Sequence, residues 1–125
     1  MYFGRMKKID HNANKEVVSG HLFYEIDDIN QRAWDIRRSD LRTSWKLAND
    51  AERDSIINSY QQGVAESLRT LGYCLWRFGD YSQSLEKSML ALEIFRDLKD
   101  KKGEADTLNS IGAVYMYQEI GRAHV

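Results

Sequence analysis

Apolar residues recur along this chain at steps of three and four. Leu22, Ile26, Ile29, Ala33 and Ile36 fall on one side of a helix that the Ser39-Asp40 pair brings to an end. Leu41, Ser44, Trp45, Ala48 and Ala51 carry the period onward, and Asp40 is placed to cap this second helix by accepting a backbone N–H from its first turn. Ala65, Leu68, Leu71, Gly72 and Leu75 then share a face of a third helix, which ends at Gly79. Asp80 opens a fourth: Asp80-Tyr81-Ser82-Gln83 has capping-box spacing, and Tyr81, Ser84, Leu85, Ser88, Ala91, Leu92 and Phe95 follow on one face. The charged run from Lys99 to Gly103 reads as a solvated turn. Beyond it, Ala105, Leu108, Ile111, Gly112 and Tyr115 define one more helix from Lys102 to Gln118. Asn12 to Gly20 show no sustained period, so the first twenty residues are expected to be a poorly ordered lead-in.

These faces share a register. Gly63 and Gly103, Ala65 and Ala105, Leu68 and Leu108, Leu71 and Ile111, and Gly72 and Gly112 are each forty positions apart, as are Asp40 and Asp80, Ser44 and Ser84, and Ala51 and Ala91. Self-similarity at a period of about 20 to 50 residues marks stacked supersecondary units, none of which can bury its apolar face alone. The expected division is a lead-in over 1–20, a degenerate helical hairpin over 21–62, a well-matched repeat over 63–101, the first helix of a further repeat over 102–118, and a tail over 119–125.

Leu68-x-x-Leu71-Gly72-x-x-Leu75, then Gly79-Asp80-Tyr81 and Ala91, resembles a tetratricopeptide repeat, and Leu108-x-x-Ile111-Gly112-x-x-Tyr115 looks like the first helix of the next. The unit departs from the family's pattern in having no terminal proline, Leu68 in place of a large aromatic, Ser84 in place of alanine, and about six residues more than the usual ~34. It is similar to a longer variety of about 40 residues. The resemblance covers residues 22 to 118 and implies an all-α, right-handed solenoid of antiparallel helix pairs. It also implies a concave face whose ligand positions fall on Asn30, Trp34 and Arg37, on Arg69, Tyr73, Trp76 and Arg77, and on Asn109, Met116 and Tyr117. At the positions where one subclass grips a terminal carboxylate with Lys and Asn, this chain has Trp34, Thr70, Asp106 and Ser110, which implies no such clamp. Long units of this kind resemble the N-terminal sensory or docking arrays of bacterial multidomain signalling proteins. A freestanding adaptor and an array attached to a transcription regulator are the alternatives, and an enzyme would require a catalytic domain further along a longer chain. Where a turn and a partner helix are expected after Gln118 the chain reads "EIGRAHV". Ile120 to Val125 look like translated read-through of a sequencing adapter, so 119–125 is expected to be non-native and the chain a fragment with apolar surface exposed on its last helix.

Composition narrows the chemistry. Across 125 residues the charged side chains nearly balance, at net −1, so no global field favours nucleic acid or an anionic membrane. Proline is absent, which leaves Gly, Asp and Asn to mark boundaries. The lone Cys74 rules out an internal disulfide and a multi-cysteine zinc site, and reads as a buried, inert thiol in a cytoplasmic protein. His11, His21 and His124 share no ligand spacing, Asp27-Asp28 diverge by about 100° on a helix, and no glycine-rich phosphate loop occurs. No catalytic, cofactor-binding or metal-binding residue is therefore expected. The expected partner is a protein or peptide, not nucleic acid or membrane, with self-association through the last helix as a further outcome. A plain helical bundle whose period is coincidental is the rival architecture. It predicts that Gly72 and Gly112 both tolerate bulky replacements.

Overall fold

A computed structural model describes the backbone of residues 8–123 and the side chains of residues 22–122. Among these residues there are five helices and no strand: α1 (Lys8–Asp35), α2 (Leu41–Ile57), α3 (Gln61–Phe78), α4 (Tyr81–Asp97) and α5 (Lys101–Ala123). None is long and apolar enough to cross a membrane. Over 8–20, the part of the expected lead-in that the structure describes, the backbone belongs to α1. Those residues lack an apolar period, but nothing between Lys8 and Ser19 is a helix breaker, so the helix propagates through them. Residues 1–7 lie outside the described part. At the other end α5 continues past Gln118 to Ala123, because neither a proline nor a capping turn intervenes.

Asp40 and Asp80 act as the sequence predicts. The Asp40 carboxylate accepts the Thr43 N–H at 3.2 Å and the Asp80 carboxylate accepts that of Gln83 at 3.1 Å, each satisfying an amide of the first turn. Gly79 ends α3 in the left-handed conformation, at φ 91°. The expected solvated turn at Lys99–Gly103 is shorter than read. Only Leu98 to Asp100 lie between the helices, Asp100 caps α5 by accepting the Gly103 N–H at 3.0 Å, and Gly103 is buried against the Phe95 ring.

The forty-residue register extends to the backbone of the turns. Ser59 and Lys99 both take a positive φ, at 53° and 60°, which non-glycine residues seldom adopt. The Tyr60 N–H donates to the Ser55 carbonyl and the Asp100 N–H to the Phe95 carbonyl, at 2.8 and 2.9 Å.

Each helix packs on the one before it, and α3 also packs on α1 and α5. Thus α1, α3 and α5 form one layer, with α2 and α4 on its other side and no contact between those two. Small side chains set the spacing between the layers. The Ser44 hydroxyl donates to the Ala33 carbonyl and the Ser84 hydroxyl to the Gly72 carbonyl, both at 2.7 Å, so neighbouring backbones almost touch. A Cβ on Gly72 would lie 2.2 Å from Ser88 Oγ and 3.3 Å from the Ser84 carbonyl oxygen. That contact opposes the bundle reading's tolerance of bulk at Gly72, whereas a Cβ on Gly112 would meet nothing within 4 Å. Two apolar clusters fill the layer junctions. One comprises Ala33, Ala48 and Leu71, with Trp45 and Leu47 against it; the other comprises Ala65, Leu68, Ala91 and Phe95, with Val64 and Ile94. Full burial of each large apolar side chain contributes about 1.5–3 kcal/mol.

Candidate functional site

The exposed side of the α1, α3, α5 layer carries a chain of aromatic rings. Trp34 on α1 meets Tyr73 on α3 edge-on at 6.3 Å, Tyr73 meets Trp76 at 5.4 Å, and Trp76 meets Tyr117 on α5 at 5.2 Å. Edge-to-face geometry matches the positive rim of one ring to the negative face of the next. Three helices of one layer thus supply one continuous row of rings, with Tyr73 buried at its centre.

Two guanidinium groups lie against Trp34. The Arg37 guanidinium carbon is 3.6 Å from the indole centroid, and that of Arg69 is 4.0 Å away. Arg37 also donates from Nη1 to the Trp34 carbonyl at 2.7 Å, and Arg69 pairs with Asp106 of α5 at 3.4 Å. Burial lowers the pKa of both guanidiniums, with the neighbouring Arg38 adding to the effect on Arg37; both stay cationic at neutral pH. Each keeps a buried Nε–H that finds no acceptor in the protein. A partly desolvated cation–π contact contributes about 1–2 kcal/mol, so these arginines are held firmly against the indole.

A groove of about 390 Å³ opens between the three helices. Of the residues expected on the ligand face, Trp34, Arg37, Tyr73, Trp76 and Asn109 line it. Arg69 and Tyr117 border it through Trp34 and Trp76. Arg77 is exposed, its Nη1 donating to the Tyr73 hydroxyl at 2.9 Å, and Tyr73 itself is mostly covered, so it supports the surface more than it presents one. Asn30 is a correction. It is 1% exposed and its Nδ2 donates to the Gly63 carbonyl at 3.2 Å, so it ties α1 to α3 inside the layer.

Arg38, Asp106 and Ser110 also line the groove; the sequence reading did not name Arg38, and named Asp106 and Ser110 only as departures from a carboxylate clamp. The signal for Asp106 lay in the register: its counterpart forty positions back, Glu66, is also acidic and sits one turn before Arg69. Asp106 is shared between Arg69 and Lys102, the latter at 3.2 Å, so the groove keeps an excess of positive charge from Arg37 and Arg38.

Other candidate chemistry is accounted for by packing. Cys74 is buried against the Ser44 hydroxyl at 3.6 Å, and burial pushes its thiol pKa up, away from the reactive thiolate. Asp27 accepts the Tyr60 hydroxyl at 2.7 Å while Asp28 is exposed, so the two carboxylates have separate surroundings. Among the described residues, no group of three or more His, Cys, Asp and Glu side chains could hold a metal ion. The side chains of His11, His21 and His124 lie outside the described part. Compared with protein families, with curated proteins and with solved structures, the chain shows no significant match.

Proposed function

We propose that this chain is a protein-interaction module: a tetratricopeptide-like, right-handed solenoid of antiparallel helix pairs that binds an extended segment of another protein across α1, α3 and α5. The observation that carries the reading is Trp34, stacked against Arg37 and Arg69 and forming with Arg37 and Trp76 the wall of an open groove. Aromatic and arginine side chains give large contact area and planar hydrogen bonding at little cost in entropy, which is why they dominate binding hot spots. The excess positive charge favours a segment with an acidic residue next to an apolar one, the carboxylate on the guanidiniums and the apolar side chain on Trp76. No catalytic step is assigned to the segment. Its place in the N-terminal array of a larger signalling protein rests on the resemblance of its long repeat units alone.

Selection from a displayed peptide library tests the proposal. Binders should be enriched in acidic-apolar pairs. Replacing Arg37→Gln together with Trp76→Ala should weaken the selected peptide by about a thousandfold, the scale of two hot-spot side chains at about 2 kcal/mol each. Helical content by circular dichroism should stay unchanged. Undiminished binding by the folded double variant would refute the groove as the site.

A further inference from the structure

α3 and α5 occupy equivalent register positions, yet one of their faces differs. Leu68 is 4% exposed and Leu108, forty positions later, is 43%; Leu75 is 6% exposed and its counterpart Tyr115 is 48%. Ala65 is buried and Ala105 exposed. The space over Gly72 is filled by Ser88 and Ser84, while that over Gly112 is open. On the opposite side the two helices agree: Gly63 and Gly103, Ser67 and Thr107, and Cys74 and Val114 are all buried. α5 has therefore made the contacts that α3 makes with the helices before it. What it lacks is the cover that α4 gives α3.

The molecule contains two examples of that cover, and they share a code. α4 lays Ser84, Ser88, Ala91 and Phe95 on its buried face, and α2 lays Ser44, Ala48, Ala51 and Ser55 on its own. In both, the first serine hydroxyl donates to a carbonyl of the helix beneath, and small residues follow at the fourth and seventh positions. We propose that the Ala105, Leu108, Gly112 and Tyr115 face of α5 is a docking site for an amphipathic helix of a partner polypeptide carrying this code: Ser, then Ser or Ala four positions on, then Ala seven positions on. The first serine bonds to the Gly112 carbonyl as Ser84 does to that of Gly72. A second folded copy of this chain offers no such helix, because the stripes of α2 and α4 are both already buried.

The probe is a fluorescent peptide with the sequence of Asp80 to Leu98, titrated with the full 125-residue chain and followed by anisotropy. Saturable binding is expected. Gly112→Leu should weaken it at least about tenfold, as a bulky side chain in a close helix contact does, and so should leucine at both serine positions of the peptide. Arg37→Gln, in the groove, should leave it unchanged, which keeps this site separable from the peptide groove. Residue 112 is exposed, so the leucine variant is expected to fold, and circular dichroism checks that. Absence of binding to the wild type overturns the proposal, as does equal binding by Gly112→Leu. A dimer of the chain that excludes the peptide and dissociates on Gly112→Leu would also overturn it.

Discussion

Gly72 and Gly112 stand at the same place in the repeat and have opposite environments. Placing a methyl group on Gly72 drives it to 2.2 Å from Ser88 Oγ and close to a backbone oxygen of α4. Gly72→Ala should therefore destabilise by about 1–3 kcal/mol in urea titration. Ser88→Ala in the same chain should restore part of the loss, since it removes the clashing atom, a hydroxyl with no partner of its own. Gly112→Ala meets open space inside a helix and should stabilise by up to about 1 kcal/mol, the intrinsic helix preference of alanine over glycine. Equal effects at the two sites would contradict the packing described. In the sequence these glycines looked alike, because periodicity shows which residues share a face and not whether another helix covers it. Asn30 was misread for a related reason: its place in the repeat suggested a ligand, while its burial follows from the close approach of α3 at Gly63.

At the level of the helices, Asp40 and Asp80 were legible as caps because apolar periods restart immediately after them. Asp100 was not, since the lysines around it made the stretch look solvated. Its carboxylate accepts the Gly103 N–H at 3.0 Å and Gln62 Nε2 at 2.9 Å, thereby joining the starts of α3 and α5. These bonds, the backbone one foremost, hold its pKa below the ordinary carboxylate value. A depressed folded-state pKa contributes stability that is present above the unfolded value of about 3.9 and is lost as pH falls through the folded value. Glu66 acts in the opposite sense, because burial raises its pKa. The wild type should thus lose stability in acid below about pH 4, and Asp100→Asn should be less stable at neutral pH but show a shallower loss there. Thermal melts across pH 2.5 to 6, on the order of the carboxylate range, check it. Parallel curves for the two proteins would show that Asp100 carries no such linkage.

Across the whole molecule, α3 touches all four other helices, whereas α5 touches only α3 and α4 and leaves one face bare. Stability should be graded accordingly. Amides in the middle of α3 should exchange with deuterium only through global unfolding, and those of α5 beyond Tyr115 through local opening at a free energy close to zero. Exchange resolved by residue would refute this if α5 were as protected as α3. The all-helical class and the order of α2 to α5 were readable from spacing alone. The aromatic and arginine groove was readable only in its residue types, because its geometry depends on α1, α3 and α5 lying side by side. The paired turns at Ser59 and Lys99 have a further consequence. A block cut after Tyr60 and again after Asp100 starts and finishes on one joint geometry, so removing or duplicating it whole would leave the same backbone turn at the seam, removal bringing Gly103 opposite Ser55 and Tyr60, where Gly63 now sits.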